Sequence, residues 1–170
     1  MKNYLVLCLV IVFASMSLSA EGPYKKGSND INAGIGFGST LVGSITLPPI
    51  NASYEIGITD DISAGGYFGF AMSEEGWSGY TWKYTHIIIG ARGSYHFYNE
   101  DNMDLYGGLM LGYNVVSVDS PGDYAYDAAS SGITYSAFLG GRYYFSENLG
   151  AFAELGYGVA YISLGITFKL

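Results

Sequence analysis

The two histidines of this sequence, with a serine on the same predicted strand, are the candidates for a nucleophilic catalytic site. His86, Ser94 and His96 fall in one stretch, 82–97, and share one parity of an extended strand. Ester hydrolysis by a serine needs a histidine within hydrogen-bond reach, and a carboxylate usually orients that histidine. The sequence shows no such triad, and an interior histidine is more often a hydrogen-bonded core residue. We therefore expect no enzyme, with a lipid-modifying activity as the alternative.

Six charged residues form a second group with possible chemistry. All six occupy strand positions that alternate with apolar ones, and they are Glu55, Arg92, Asp104, Arg142, Glu154 and Lys169. Three acids and three bases on one face predict a compensated ionic network that plugs an interior, because a buried charge without a partner is costly. Arg142 and Glu154 flank the turn at 146–148 and are expected to be diagonal neighbours. A gated path for ions through the same residues is the functional alternative.

Eight stretches of alternating apolar and polar residues supply the elements that would position these groups. The predicted strands are 30–38, 50–58, 62–71, 82–97, 103–118, 132–145, 149–157 and 160–170. Tight turns at 59–61, 98–102 and 146–148 alternate with longer loops at 39–49, 72–81 and 119–131, and the last connection, 158–159, is short. An even number of strands with short turns at one end and longer loops at the other is typical of outer-membrane barrels.

The apolar face of these strands is predicted to point outward into lipid and the charged face inward. In the closing stretch, Ile162, Leu164, Ile166 and Phe168 alternate with small or polar residues. Turning the six charges outward would cost on the order of 10 kcal/mol at membrane depth. A soluble lipocalin-like barrel is the alternative, but the polar face lacks the dense Lys and Glu of a soluble surface. The predicted fold is all-β, an eight-stranded antiparallel up-and-down transmembrane β-barrel over 30–170.

Aromatic residues near the strand ends are expected to form a girdle at each membrane interface, where Tyr and Trp are favoured. At the end with the tight turns, the girdle consists of Tyr95, Phe97, Tyr143, Phe145 and Phe168. At the other end it consists of Trp77, Trp82, Tyr113, Tyr135 and Tyr157. Both girdles support a membrane location for the apolar face.

Residues 1–20 are predicted to be a cleaved secretory signal, and 21–29 a short periplasmic leader. Lys2 precedes an apolar run, and the segment ends in small residues that allow cleavage after Ala20 or Ser19. A membrane-spanning helix is the alternative, but the apolar run is shorter than the roughly 20 residues that a bilayer needs. We therefore expect export of the chain.

Composition excludes several classes of chemistry and partner. Without 1–20, six basic side chains remain against fifteen acidic ones, a net charge of −9, whereas nucleic-acid recognition requires a basic footprint. The single cysteine, Cys8, lies in the predicted signal, so we expect neither disulfide nor thiolate chemistry in the mature chain. No cofactor is expected. The 25 Gly, 17 Tyr and 9 Phe, with only 13% charged residues, suggest a closed barrel.

The stretch 160–170 alternates to its final residue and ends in apolar and aromatic side chains. With the eight strands and the signal, it resembles the small eight-stranded outer-membrane proteins, whose members include OmpA-type transmembrane domains and OmpX-type proteins. The resemblance implies a place in the cell outer membrane, contact with its lipids including lipopolysaccharide, and recognition of the closing strand by the barrel assembly machinery. That family usually ends on Phe, and here Phe168 stands two residues before Leu170.

Such folds host structural, adhesive, lipid-modifying and small-channel proteins, so the fold alone does not fix the function. We expect a non-enzymatic protein with a structural or surface-interacting role. A narrow channel for small solutes or hydrophobic molecules is the alternative.

Acidic residues are concentrated in the longer loops, at Glu74, Glu75, Asp119, Asp123 and Asp127. Weak calcium binding or a divalent-ion bridge to lipopolysaccharide is one interpretation, but the spacing fits no dedicated calcium loop. A solvated loop is the interpretation we favour. The segment 124–126, Tyr-Ala-Tyr, is a candidate contact for an extracellular partner whose identity the sequence does not specify.

Overall fold

The protein is an antiparallel sheet of eight strands that closes on itself. The computed structural model describes residues 22–77, 80–119 and 130–170. In chain order the strands are β1 Asn29–Phe37, β2 Ser44–Gly57, β3 Ile62–Trp77, β4 Tyr80–Glu100, β5 Met103–Asp119, β6 Gly132–Tyr144, β7 Leu149–Tyr157 and β8 Ile162–Lys169. Each strand pairs with the next, and β1 pairs with β8 to close the barrel. The predicted eight-stranded up-and-down antiparallel barrel is confirmed.

The connections define two ends of the barrel. The end with the short turns at 58–61, 101–102 and 145–148 is called the turn end below, and the opposite end is called the loop end. Residues 78–79 and 120–129 of the loop end are outside the described residues, and so are the predicted signal 1–20, Asp123, Asp127 and the segment 124–126. In the described part of the chain, no helix has the length and hydropathy needed to cross a bilayer.

Side chains alternate between the two faces of the barrel wall. On β5, Leu109 is 68% exposed on the outer face, whereas Tyr106 and Met110 are 0% and 3% exposed inside. The other strands repeat this pattern, because successive residues of a strand point to opposite faces of the sheet. The outer surface is therefore an apolar belt, and the lumen is lined by polar, charged and aromatic side chains.

The predicted loop at 72–81 is wrong, because most of it forms paired strand. β3 continues to Trp77 and β4 begins at Tyr80, with Glu74 directly opposite Lys83. The Nζ of Lys83 lies 3.8 Å from the Oε1 of Glu74, and both side chains are exposed. The polar composition of 72–81 favoured a loop. A hairpin that extends beyond the barrel can be polar on both faces, so its sequence need not alternate between apolar and polar residues.

β2 also starts earlier than predicted, at Ser44, although prolines occupy positions 48 and 49. Pairing of β2 with β1 ends at Ile50, so neither proline has to donate a hydrogen bond on that side. The register with β3 shifts between Leu47 and Ile50, a bulge that accommodates the two prolines. The prolines therefore mark the point where β2 extends beyond its neighbour β1.

β8 starts later than predicted, at Ile162 rather than at 160. Gly158 has a φ of 121°, in the region that favours glycine, and it opens a turn over 158–161. This turn resets the alternation of side chains. Ala160 consequently lines the interior, and Tyr161 lies on the exposed surface, the reverse of the predicted faces.

Glycines that face the lumen make room for aromatic rings on neighbouring strands. A Cβ added at Gly140 would lie 2.9 Å from the Tyr106 ring, and one at Gly165 would lie 2.6 Å from the Phe152 ring. Such separations are shorter than van der Waals contact. The interior volume is therefore filled by rings that lie across glycines, a device that stabilises sheets where glycine alone would leave a void.

We expect Gly108→Ala to lower the free energy of unfolding by about 1–3 kcal/mol. The added methyl would overlap the ring of Phe138 and the carbonyl oxygen of Gly93. The control is Gly107→Ala on the outer face, whose methyl would lie 3.5 Å from the Leu139 side chain. We expect that control to change the stability by less than about 0.5 kcal/mol. Urea unfolding in lipid vesicles measures both, and equal losses would contradict a packed lumen.

Candidate functional site in the barrel interior

The ionic network is centred on Arg142, whose side chain is fully buried in the lumen. Its Nη1 donates to Oδ2 of Asp104 at 3.0 Å, its Nη2 to Oε1 of Glu55 at 3.1 Å, and its Nε to Oδ1 of Asn32 at 3.2 Å. These residues lie on β6, β5, β2 and β1. Arg142 therefore connects strands across the lumen, which is possible because the interior of an eight-stranded barrel is just wide enough for side chains to fill.

Arg92 forms the second half of the network. Its Nε lies 3.0 Å from Oε1 of Glu55, and its Nη2 lies 2.8 Å from Oε1 of Glu154. The predicted diagonal placement of Arg142 and Glu154 is confirmed, because Arg142 lies opposite Phe152 and Gly140 lies opposite Glu154. The ionic partner of Glu154 is nevertheless Arg92, and Glu154 also accepts a hydrogen bond of 2.8 Å from the Tyr106 hydroxyl. Contacts across the lumen decide these partners, and the pairing of adjacent strands does not reveal them.

Asp30 belongs to the network, although the sequence pattern did not include it. It is buried, it accepts a 2.6 Å hydrogen bond from the Tyr144 hydroxyl, and its Oδ2 lies 3.9 Å from Nη1 of Arg142. Asp30 has the same inward parity as the other charged residues, and this pattern could have identified it from the sequence. Lys169 lies at the edge of the network, where its Nζ donates to the carbonyl oxygen of Pro23 and sits 4.7 Å from the centroid of the Tyr144 ring.

His96 joins the network through both ring nitrogens. Its Nδ1 lies 2.6 Å from Oδ1 of Asp104, and its Nε2 lies 3.0 Å from Oγ of Ser63. Ser63 donates its one hydroxyl proton to Oε2 of Glu55 at 2.6 Å, so its oxygen accepts a hydrogen bond from Nε2. Nδ1 faces a carboxylate and donates as well. Because both ring nitrogens donate, this hydrogen-bond pattern assigns His96 as an imidazolium cation.

Counting His96 as a cation makes the network electrically neutral. Its carboxylates are Asp30, Glu55, Asp104 and Glu154, and its cations are Arg92, His96, Arg142 and Lys169. The sequence-based set was also neutral, but it missed one member of each sign, Asp30 and His96. A buried ionic group is tolerated only when it is paired and hydrogen-bonded, and the two arginines, His96 and the four carboxylates meet that condition.

Ser63, His96 and Asp104 have the connectivity of a serine–histidine–aspartate triad, which the sequence did not reveal. Ser94, the serine singled out from the sequence, instead donates to Oε2 of Glu55 at 2.7 Å. A triad histidine must offer a lone pair to its serine, yet both ring nitrogens of His96 already donate. All three side chains are also buried. In this geometry the serine has no base and no access for a substrate.

Residues 22–28, predicted as part of a leader, fold across the turn end. Tyr24 is 3% exposed, and its ring stacks on that of His96 with the centroids 3.5 Å apart. Its hydroxyl donates to the carbonyl oxygen of Thr59 at 3.0 Å, and the side chain of Asn99 accepts from its N–H at 2.9 Å. Burial raises the pKa of the Tyr24 phenol above its usual value, which keeps the hydroxyl a neutral donor. Tyr24 thus covers His96 at the turn end.

An apolar cluster, called the apolar layer below, lies between the network and the loop end. Ile88, Met110 and Val159 are buried at its centre. Leu41, Tyr67 and Phe138 pack against them. Below this layer, beside Arg92 and Glu154, lies a cavity of about 20 Å³, which is room for about one water molecule. Ile88 and Met110 share the inward parity of the charged residues, so this layer is visible only when the lumen is viewed as a whole.

The predicted aromatic girdle lies on the outer surface, with one exception. The outward-facing members are Tyr95, Phe97, Tyr113, Tyr135, Phe145, Tyr157 and Phe168, which are exposed, and Tyr143, which is half-buried. Trp82 was predicted for the girdle of the loop end, and this is wrong. It is 7% exposed because it shares the inward parity of Tyr84 and His86 on β4. The side chain of Trp77 is outside the described residues.

Small outer-membrane β-barrels and a designed barrel are among the solved structures that are similar to this chain. OprG from Pseudomonas aeruginosa matches with a TM-score of 0.64 at 11% identity, over 86% of this chain and 97% of that chain. The N-terminal β-barrel domain of Pseudomonas aeruginosa OprF matches with a TM-score of 0.54 at 18% identity, over 85% and 98%. A de novo designed transmembrane β-barrel matches with a TM-score of 0.50 at 16% identity, over 89% and 100%.

No family model matches the chain, and no curated protein matches its sequence. At these low identities the structural matches establish the fold and leave the function open. The predicted resemblance to small eight-stranded outer-membrane barrels is confirmed for the fold.

We expect Arg92→Ala to lower the free energy of unfolding by about 3–5 kcal/mol. The substitution removes the guanidinium that lies between Glu55 and Glu154 and leaves their charges less compensated. The control is Lys83→Ala, which removes an exposed pair with Glu74. That control should change the stability by less than about 1 kcal/mol. Denaturant unfolding in lipid vesicles compares the two, and an Arg92→Ala variant as stable as the parent would show that the network is not structural.

Proposed function

We propose that this chain is a non-enzymatic integral outer-membrane protein with a structural or surface-interacting role and a lumen plugged by its charged network. One observation carries the proposal: the barrel is apolar outside and ionic inside. Ile133 is 78% exposed on the outer face, whereas Arg142 and Asp104 are 1% and 0% exposed in the lumen. Soluble proteins rarely expose a continuous apolar surface of this extent, and such a surface marks contact with a membrane or a partner.

Closure of the sheet supports a membrane location for the apolar belt. Each strand has a hydrogen-bonded neighbour on both sides, from β1 to β8 and back to β1. Within lipid, backbone groups have no water to bind, and closed barrels satisfy them between strands. We infer that the belt contacts outer-membrane lipids, including lipopolysaccharide, and that β8 is the segment recognised by the barrel assembly machinery. Export would depend on the predicted signal at 1–20.

The turn end would face the periplasm and the loop end the cell exterior, as is usual for barrels with short turns on one side. At the loop end, β4 and β5 remain paired up to Lys83 and Asp119, whereas the pairing of β5 with β6 stops at Asn114. Strands β2 to β5 therefore extend beyond their neighbours. This projecting sheet supports a surface-interacting role, and it carries Glu74 and Glu75.

The absence of enzymatic activity is part of the proposal. The arrangement of Ser63, His96 and Asp104 comes nearest to a catalytic site among the described residues. Its histidine donates from both nitrogens, and the ring of Tyr24 covers it. A general base requires a free lone pair within reach of the proton that it removes. These contacts favour a structural role for the three side chains.

A single-cysteine experiment tests the membrane location. The mature chain is predicted to lack cysteine, since Cys8 lies in the signal, so Leu109→Cys and Asp60→Cys each provide one thiol. In lipid vesicles, a water-soluble maleimide should modify the cysteine at 60 in the exposed turn and leave the one at 109 unmodified, because lipid would cover it. Both should react after unfolding in urea. Rapid labelling at 109 in intact vesicles would contradict the proposal.

The conductance of a planar bilayer tests the alternative of a narrow channel. In this proposal, Tyr24, the ionic network and the apolar layer around Ile88 would block the lumen in succession, and the stacking of Tyr24 on His96 and the packing around Ile88 support this. We expect no steady conductance from the parent. Tyr24→Ala removes one block and leaves the apolar layer in place, so it should also be silent, because dewetted apolar constrictions stop ions. Discrete channel openings in the parent would favour the channel alternative.

A further inference from the structure

The lumen contains a cavity of about 240 Å³ at the loop end. One wall is the connection between β1 and β2, at Thr40, Leu41 and Val42. The opposite wall comes from β5 and β6, at Val116, Gly132 and Thr134. The cavity is distinct from the ionic network, because the apolar layer around Ile88 lies between them.

Hydrogen bonds hold both walls in place. The backbone N–H and the hydroxyl of Thr40 both donate to the carbonyl oxygen of Gly158 at 3.0 Å. The hydroxyl of Ser73 donates to the carbonyl oxygen of Val42 at 2.5 Å. On the other side, the N–H of Val116 donates to Oγ of Ser131 at 2.9 Å. The cavity is therefore preformed, as most small-molecule sites are.

His86 contributes to the cavity as a neutral ring. Its Nε2 lies 3.2 Å from Oγ of Ser73, whose proton is already donated to Val42, so Nε2 is the donor. Its Nδ1 then accepts from Nδ2 of Asn114 at 3.2 Å. This leaves Oδ1 of Asn114 buried and without a hydrogen-bond partner among the described residues.

The described lining of the cavity carries no charged side chain, in a chain with fifteen acidic residues. It combines the hydroxyls of Thr40, Ser130 and Thr134 with aliphatic groups. We propose that this cavity binds a small uncharged molecule that carries a hydroxyl or amide group on a compact apolar body. A charged ligand would lose its hydration here without gaining a counter-charge.

The size of the cavity limits the ligand further. Sites for drug-sized molecules measure roughly 300–1,000 Å³, so a smaller cavity fits a molecule with about one ring. Because the apolar layer closes the cavity towards the network, the ligand would enter and leave through the loop end. The site would thus bind its ligand without transporting it, which goes beyond the structural role proposed above.

Methyl NMR of the protein in lipid nanodiscs tests this proposal with four probes that each carry one phenyl ring. Benzyl alcohol is neutral, whereas benzoate and benzylammonium are charged. We expect benzyl alcohol to shift the methyl signals of Val42 and Val116 with saturation, and the charged probes to bind at least about tenfold more weakly. Benzamide, which is also neutral and carries an amide group, should bind like benzyl alcohol.

Two leucine substitutions provide a matched pair of variants. A side chain at Gly132, which lines the cavity, would meet nothing within 4 Å, so Gly132→Leu should fill the site without disturbing the wall. We expect it to weaken binding by at least about tenfold. In the control, Gly66→Leu, the same side chain starts on the outer face, where the nearest atom is 4.0 Å away. It should bind as the parent does.

Any one of the following results would overturn the proposal. The first is chemical-shift changes that increase with probe concentration without saturating and that also affect outer-face methyls, such as those of Leu109. Such changes would show that the probe partitions into the lipid. The second is equal binding of the neutral and charged probes. The third is the absence of a saturable shift with both benzyl alcohol and benzamide, or unchanged binding in Gly132→Leu when its other methyl signals match those of the parent.

Discussion

Charges inside this barrel have to be neutralised by other charges inside it, and the rest of the structure follows from that constraint. The lumen is narrow and the outer face is apolar, so an interior guanidinium has little water to bind. Arg142 and Arg92 therefore share Glu55 as a common partner and reach Asp104 and Glu154 on other strands. Apart from the pair of Arg142 with Asp104 on the adjacent strand β5, these ionic contacts link strands that are not neighbours in the sheet.

Volume is the second constraint, and it acts on the same space. The lumen has to hold two arginines together with the rings of Tyr106 and Phe138, and it does so by placing glycine where those rings lie. The arginines then stack on the rings, with the Cζ of Arg92 4.0 Å from the centroid of Phe138 and that of Arg142 4.5 Å from that of Tyr106. Ionic pairing and glycine placement are thus one packing solution.

The two histidines differ in protonation state because their hydrogen-bond partners differ. Each ring bonds a serine through Nε2, and in both cases the serine has already donated its proton elsewhere. The difference lies at Nδ1, where Asp104 accepts from His96 and Asn114 donates to His86. The first ring is therefore a cation in the ionic network, and the second is a neutral part of an uncharged cavity. The apolar layer keeps these two environments separate.

The strands, the faces of their side chains and the separation of charge from the outer surface could be predicted from local residue patterns. A two-residue period is a local property, so β5, β6 and β7 were predicted almost to the residue. Errors arose where no alternation distinguishes a solvated strand from a loop, as at 72–81, or where a turn shifts the parity, as at Ala160. The residue type of Trp82 favoured the outer girdle, whereas its parity places it on the inner face.

The contacts between interior side chains could be identified only from the tertiary structure. The pairing of Arg92 with Glu154, the entry of Tyr24 over His96, and the approach of Ser63 to His96 all depend on distances across or along a closed lumen. A strand pattern fixes the direction of a side chain but not its partner on the opposite wall. That partner depends on closure of the sheet, on strand stagger and on the volume that neighbouring rings leave free.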